Sequence, residues 1–515
     1  MAALAKSVPV AVAGAGTMGA GIAQIAARAG HAVLLYDQDG ATLTRARAQI
    51  DAGLDKLAGK GRINADEREG IAARITLCES LDDLSRAGLA IEAIVEALEP
   101  KRALFAELER RLDASAILAS NTSSLSITAL AAGLDHPERV AGMHFFNPAP
   151  VMRLVEIVSG IATSQATIET LRATAEAWGK VPALATSTPG FIVNRVARGF
   201  YSEGLRALAE QAADAATIDA VLRDCGGFRM GPLELIDLIG VDVNFSVTQS
   251  VYNAYFQDAR FRPSLVQQAL VDAGRLGRKT GHGFYPHDDE DARTAVTAAQ
   301  AEPPEHVLVH GSLGPASALQ ALIARSPVEQ RTGSQTSLSA LEVDDVIVAL
   351  TDGRSATERA ARLDRPVVLF DLALDYANTT RIALAPADQC SAGHLESATG
   401  LFQALGKQVS VIDDFPGMLV MRTVAMLANE AADAVLQGVA DAADIDQAMQ
   451  AGVNYPLGPL AWADRIGAPC VLSVLDHLRT TYGEERYRAS AWLRRCVFAS
   501  RKLAEGRRLR ERSHV

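Results

Sequence analysis

Three short segments carry side chains whose types and spacing suit proton transfer at a secondary alcohol. They are Ser120-Asn-Thr-Ser-Ser124, Gly142-Met-His-Phe-Phe-Asn-Pro148 running on to Val155-Glu156, and Pro189-Gly-Phe-Ile-Val-Asn-Arg195. When a hydride leaves such an alcohol, the hydroxyl proton must leave at nearly the same time, and an imidazole is a suitable acceptor near neutral pH. His144 is the candidate base. Once protonated, the ring needs an anionic neighbour to orient and stabilise it, as a buried carboxylate does in other His–acid pairs. Glu156, on the strand leaving the His144 loop, is placed for this. Hydrogen-bond donors must then meet an oxygen that alternates between alkoxide and carbonyl; Ser123 and Asn194 can supply them. Each residue also has a plainer reading: a core histidine beside two phenylalanines, an exposed strand glutamate, a helix N-cap serine and a backbone-binding asparagine.

A hydride needs an acceptor, and the N-terminal pattern supplies a cradle for one. The apolar run Val8–Ala13 reads as a buried parallel strand. Gly14-Ala-Gly16-Thr17-Met18-Gly19 follows, then a helix over Ala20–Gly30, a second apolar run Ala32–Tyr36 and Asp37. Strand, glycine turn, helix, strand and acid in register form a dinucleotide fingerprint. Gly14 permits the turn, Gly16 lets a pyrophosphate approach the backbone, and Gly19 lets helix and strand pack. The helix start offers free N–H groups and partial positive charge. Asp37 suits the ribose hydroxyls and would repel a 2′-phosphate, so NAD is expected over NADP.

Further strands are predicted at Ala90–Val95, Ala116–Ala119 and around Val140–His144, separated by helical stretches such as Lys101–Leu112. This alternation predicts an open, doubly wound sheet, with ligands at the carboxyl ends of the strands. Glu96, Ser120–Ser124 and His144–Asn147 fall there.

Taken together, the three segments and the spacings Ser123–His144, His144–Glu156 and His144–Asn194 closely resemble the L-3-hydroxyacyl-CoA dehydrogenase family, over residues 1–290. The resemblance implies NAD-dependent oxidation of a 3-hydroxyacyl thioester of coenzyme A, with His144 and Glu156 catalytic and Ser123 and Asn194 binding substrate. It also implies that Glu96 and Lys101 lie near the nicotinamide ribose, that Asn147 contacts the cofactor, and that Lys279 reaches the cofactor side of the cleft. Lys60 would pair with the nucleotide end of coenzyme A; Gly53 stands where the family often has a serine. The tandem layout is similar to bacterial members acting on 3-hydroxybutyryl or 3-hydroxyadipyl thioesters, the latter in phenylacetate breakdown. Two rivals stay open: a dehydrogenase of a hydroxy acid without coenzyme A, for which Lys60 discriminates, and a silent NAD-binding relative.

The second half repeats the first. Pro189-Gly-Phe-Ile-Val-Asn-Arg195 recurs as Pro416-Gly-Met-Leu-Val-Met-Arg422, Gly231-Pro-Leu as Gly458-Pro-Leu, and Gly179-Lys180 as Gly406-Lys407, all offset by 227 residues. The expected organisation is a Rossmann-type α/β domain (1–187), an all-α domain (188–290), a linker or decayed Rossmann-like segment (300–412) and a second helical copy (413–500). The offset carries His144 to Asp371, Glu156 to Ala383 and Asn194 to Met421, so the second copy lacks the chemistry. Its expected role is to cover an apolar face of the first copy as an internal pseudo-dimer partner; further oligomerisation is left open. Exposed connections are expected at 301–304 and 331–337, and a frayed helix end at 494–512.

At 515 residues several cores are expected, and the net charge of −11 argues against nucleic acid as a partner. The five cysteines are dispersed with no C-x-x-C pair, which predicts neither disulfides nor a metal site. No signal-like N-terminus and no long apolar run is present, so a cytoplasmic protein away from membranes is expected. No further domain precedes the first strand, which predicts a stand-alone enzyme.

Overall fold

The structure, a computed structural model, describes residues 2–289, 291–335 and 338–506. The chain divides into two units, Met1–Arg195 with Gln437–Val453, and Val196–Leu436 with Asn454–Val515.

The first unit is built on eight strands: β1 (Val10–Ala13), β2 (Val33–Tyr36), β3 (Ile75–Cys78), β4 (Leu89–Glu92), β5 (Ile117–Ser120), β6 (Val140–Phe145), β7 (Leu154–Ser159) and β8 (Val181–Thr186). Their order is β3-β2-β1-β4-β5-β6-β7-β8. The first six strands are parallel, as their short apolar runs predict. β7 departs from this and runs antiparallel to β6, with His144 opposite Glu156. Residues 146–153, which join the two strands, are too few for the helical crossover a parallel pair needs. The helix Thr17–Arg28 leaves β1 through Gly14, whose φ of +100° disfavours any side chain. A Cβ on Gly19 would fall 1.7 Å from the Gly14 carbonyl oxygen, so helix and turn can close only on glycine.

The helix Ala442–Val453 belongs to this unit although it lies far along the chain, packing on β7 and β8. Thr186 N donates to Val439 O at 2.7 Å and Gln447 Nε2 to Pro182 O at 2.9 Å. Gly452 lies so close that a Cβ there would stand 2.5 Å from Leu154 Cδ2.

The second unit contains helices Arg198–Ala209, Ala215–Asp224, Pro232–Ile239 and Val241–Ala254, followed by a seven-stranded sheet. The strands are β9 (His306–His310), β10 (Glu329–Thr332), β11 (Ala340–Val343), β12 (Val346–Leu350), β13 (Val367–Phe370), β14 (Arg381–Pro386) and β15 (Gln408–Val411), in the order β10-β9-β11-β12-β13-β14-β15. The region expected to be a linker or decayed fold is therefore a mixed sheet with its own buried strands. Arg331 and Thr332, expected in a loop, form its exposed edge strand with Glu329 and Gln330. At the C-terminus the helix Ala491–Phe498 is well packed through Trp492, Leu493 and Cys496; residues 507–512 of the expected frayed end lie outside the described residues.

The 227-residue offset holds at the level of single residues. It carries the starts of β6, β7 and β8 (Val140, Leu154, Val181) onto those of β13, β14 and β15 (Val367, Arg381, Gln408), and the helix Gln165–Ala177 onto Ala392–Ala404. Helix docking repeats with the partners exchanged. In the second unit, Asp413 N donates to Ala212 O at 2.8 Å and Cys225 Sγ to Arg381 O at 3.0 Å. Moving by 227, these are the Thr186–Val439 and Leu154–Gly452 contacts of the first unit. Each sheet is covered by a helical segment from the other copy.

Candidate active site

His144 is the penultimate residue of β6 in the first unit, 5 % exposed. Its Nδ1 lies 2.6 Å from Glu156 Oε2 on the neighbouring strand, a pairing set by the β6–β7 register. Glu156 is fully buried, and its other oxygen accepts from the backbone N–H groups of Ile192 (3.0 Å) and Val193 (2.9 Å). These N–H groups belong to the turn that opens the helix Val193–Val196, where Gly190 and Phe191 both take positive φ (75° and 45°). A non-glycine residue held in that region costs of order 1–3 kcal/mol and persists only where its surroundings demand it. Here the turn brings its donors to Glu156, and Asn194 follows them on the same helix. Phe146 and Phe191 stand 4.5 and 5.9 Å from the imidazole, centroid to centroid, and form an apolar wall. With Nδ1 bound to the carboxylate, Nε2 is the nitrogen left to exchange a proton.

The loop after β5 is organised by Glu96. Its Oε1 accepts from Thr122 Oγ1 (2.6 Å), Ser123 N (2.9 Å), Ser124 Oγ (3.0 Å) and, more weakly, Ser123 Oγ (3.3 Å). Burial works against charge on Glu96, yet the Thr122 hydrogen bond and the Lys101 ammonium outweigh it and hold the carboxyl below its ordinary range. Lys101 is buried, with its ammonium 2.7 Å from Glu92 Oε2 and 3.2 Å from Glu96 Oε2, so it positions Glu96. Ser123 directs its hydroxyl to Glu96 and must rotate before it can donate to a substrate oxygen. Sequence reasoning missed Glu92, whose carboxylate also takes the Ser120 hydroxyl. It also missed Asn121, whose side chain accepts from Phe145 N at 2.9 Å and ties the serine loop to the end of β6. A buried lysine's partner can be any acid in the chain, and no local spacing announces it.

The fingerprint residues form a cleft of about 560 Å³ with Gly14, Gly16, Asp37, Ala93 and Val95 on its wall. The helix Thr17–Arg28 has no side-chain cap, which leaves its first N–H groups available at Thr17, Met18 and Gly19. The space outside Gly16 is open: a Cβ there would meet nothing within 4 Å. Asp37 receives Ala15 N (2.8 Å) and Asp39 N (3.1 Å), which fixes its carboxylate while lone pairs remain for hydroxyl donors. These features fit a dinucleotide.

A second cavity of about 620 Å³ carries Arg28, Lys56, Lys60 and Arg62, with Gln24 and Gly53 on its wall. Of its four cations, sequence reasoning found Lys60 alone; Lys56 and Lys60 are spaced to share a helix face. A Cβ on Gly53 would come within 2.9 Å of Gln24 Oε1, the far end of a flexible side chain that can shift aside. Asn147 is exposed on the loop after β6. Lys180 is buried under that loop and donates to Ala149 O (2.6 Å) and Met152 O (2.7 Å); desolvation and the charge of Arg28 push its pKa down to about 8. Lys279 lies in the second unit, where it pairs with Asp242 at 2.6 Å. Among the described residues no group of three or more His, Cys, Asp or Glu is arranged to hold a metal ion, and no helix is long and apolar enough to cross a membrane.

Comparison with known proteins agrees with this layout. Residues 9–188 match the 3-hydroxyacyl-CoA dehydrogenase NAD binding domain, residues 190–287 and 417–507 the 3-hydroxyacyl-CoA dehydrogenase C-terminal domain, and residues 348–416 the 3-hydroxybutyryl-CoA dehydrogenase reduced Rossmann-fold domain. The chain is 49% identical to 3-hydroxyadipyl-CoA dehydrogenase of Escherichia coli (strain K12) over 94% of its length and 96% of the relative's. It is 42% identical to 3-hydroxybutyryl-CoA dehydrogenase of Bradyrhizobium diazoefficiens, which spans 56% of this chain and 97% of that one. A crystal structure of 3-hydroxybutyryl-CoA dehydrogenase from Escherichia coli K12 superposes with a TM-score of 0.88 at 47% identity, covering 96% of this chain and 99% of the other. The chain belongs to the 3-hydroxyacyl-CoA dehydrogenase family.

Proposed function

We propose that this protein oxidises an L-3-hydroxyacyl-CoA to the 3-oxoacyl-CoA with His144 as general base, and that its acyl group is dicarboxylic, as in 3-hydroxyadipyl-CoA. The observation that carries the mechanism is the buried His144–Glu156 pair, held at 2.6 Å with the far carboxylate oxygen anchored by two backbone N–H groups. Glu156 fixes the tautomer and stabilises the imidazolium, so Nε2 takes the hydroxyl proton as C3 loses hydride. Asn194, and Ser123 once turned from Glu96, donate to the 3-oxygen as it becomes a carbonyl. Bound NAD supplies the hydride acceptor; Gly14, Gly16, Asp37 and the start of the helix Thr17–Arg28 would hold it, with Glu96 and Asn147 near its nicotinamide end. The cationic cavity around Lys60 and Lys56 suits the phosphates of coenzyme A. The near-full-length relative acting on a hydroxyadipyl thioester supports the dicarboxylic group. The solved structure named for a hydroxybutyryl substrate supports a second reading, a short monocarboxylic acyl group. The two helical copies, each docked on the other's sheet, act as an internal pseudo-dimer.

The test follows NADH consumption with 3-oxoadipyl-CoA, acetoacetyl-CoA and the corresponding free acids. Turnover confined to the thioesters, with 3-oxoadipyl-CoA preferred, is expected. Equal use of the free acids would remove coenzyme A from the reading, and no turnover of any of them would remove the dehydrogenase.

A further inference from the structure

The first unit contains a third cavity, of about 400 Å³, whose wall carries Arg28, Arg153 and Lys180 and no carboxylate. Three cations gathered without an acid run against the net charge of −11. Lys180 is 9 % exposed, and its ammonium donates to two carbonyls, Ala149 O at 2.6 Å and Met152 O at 2.7 Å. An ammonium has three N–H groups, so one remains to be given away. Carbonyl dipoles do not neutralise the charge, and burial together with Arg28 weighs against the protonated form. Arg28 and Arg153 are exposed, one at the end of the helix Thr17–Arg28 and one just before β7. The second copy separates two duties of this lysine. Lys407, 227 residues on, donates to Thr379 O at 2.7 Å and more weakly to Ala377 O at 3.4 Å, so pinning the connection between the strands is common to both copies. Thr380 stands where the first unit has Arg153. Holding the loop does not require the arginine.

We infer that this cavity binds a phosphate monoester through Arg28, Arg153 and Lys180. Such a group is close to a dianion at neutral pH and offers three acceptor oxygens. Two planar guanidinium forks and one compact ammonium match it in charge and in donors. Bound there, the anion takes the remaining Lys180 N–H and relieves the repulsion between Lys180 and Arg28. Two sources share this chemistry. One is the phosphate on the ribose 3′-oxygen of coenzyme A, because Arg28, Pro150 and Val151 belong also to the wall of the Lys60 cavity; this source rests on the coenzyme A reading above. The other is a free phosphate ester, which does not rest on it.

The experiment titrates the wild type, Arg153→Met and Arg153→Lys by calorimetry with coenzyme A, dephospho-coenzyme A (which lacks only the 3′-phosphate) and inorganic phosphate. Arg153 is exposed and lines this cavity but not that of Lys60, so replacing it spares both the fold and the neighbouring cavity. If coenzyme A is the source, the wild type should prefer it over dephospho-coenzyme A by about ten- to hundred-fold. Arg153→Met should lose most of that preference, and Arg153→Lys less of it. If the source is free, the two coenzymes bind alike and inorganic phosphate binds the wild type but not Arg153→Met. Either result supports the site and names its source. Equal binding of the coenzymes without binding of phosphate overturns it, as does a preference or a phosphate affinity that Arg153→Met leaves unchanged. A wild type that binds neither coenzyme defeats the coenzyme A reading itself, and the phosphate titration then decides for or against the cavity.

Discussion

The β6–β7 pair of the first unit and the β13–β14 pair of the second are the same structure with and without a His–acid pair. His144 faces Glu156 in one; Asp371, 227 residues on, faces Ala383 in the other, with Asp371 N donating to Ala383 O at 3.1 Å. Both pairs are followed by a turn with two positive φ values, 75° and 45° at Gly190 and Phe191, 77° and 52° at Gly417 and Met418. In both a buried carboxylate accepts the N–H groups that open the next helix. Glu156 takes Ile192 and Val193; Asp371 takes Leu419 (2.8 Å), Val420 (2.7 Å) and Met421 (3.0 Å) from the opposite strand of its pair. The duty the two carboxylates share is therefore structural, because buried N–H groups at a helix start require an acceptor. The first unit adds an imidazole to the carboxylate's second oxygen, which is the version proposed to be catalytic. Where the carboxylate itself occupies the histidine's strand position, the site is complete as a cap and empty as a base.

This comparison can be broken at several strengths. Ending the chain at residue 436 removes the helix Ala442–Val453 and uncovers β7 and β8. Loss of soluble, folded protein is expected by size-exclusion chromatography, and a monomeric, fully active truncation would dismiss the exchanged docking. Glu156→Gln preserves an acceptor for Ile192 and Val193 but leaves the imidazolium without a counter-charge. Its kcat should fall roughly 10²–10⁴-fold, while Asp371→Asn should keep kcat close to wild type; similar losses in both would erase the distinction between the copies. Asp371 also predicts a pH signature. Burial raises its pKa to about 6, despite the backbone hydrogen bonds that lower it, against about 4 in an unfolded chain. The folded form then keeps a proton that the unfolded form releases, so this residue's stabilising contribution is present below pH about 4 and is lost as pH rises to about 6, by at most about 3 kcal/mol. Urea midpoints should show wild type gaining on Asp371→Asn as pH falls through that window, and parallel curves would count against a protonated Asp371.

What could be read from the chain beforehand was whatever lies close together in it. The glycine turn, Asp37 and the apolar parallel strands are local patterns with local physics, and the Pro-Gly and Gly-Pro-Leu repeats disclosed the duplication. His144 and Glu156 stood out because a short two-stranded connection keeps them within one stretch. The pairing of Lys101 with Glu92 and the approach of Arg28 to Lys60 come about only through folding, and so were not visible, whereas Lys56, one helical turn from Lys60, could have been read from its spacing. Nor was the exchange of helices between copies, since a packing face of small residues such as Gly452 and Cys225 does not say which sheet it will meet. The second, decayed sheet was legible through the repeat, but its edge strand, Glu329–Thr332, escaped because it is exposed along its whole length and carries no alternation of apolar residues.

Single-turnover stopped-flow of NADH oxidation by 3-oxoacyl-CoA in His144→Gln, set beside a fluorescence titration of NADH binding, isolates the imidazole from everything that holds it. Hydride transfer slowed roughly 10²–10⁴-fold with NADH affinity unchanged is the predicted result. Transfer at the wild-type rate would contradict the assignment of His144 as the proton carrier, and with it the distinction drawn between the two copies.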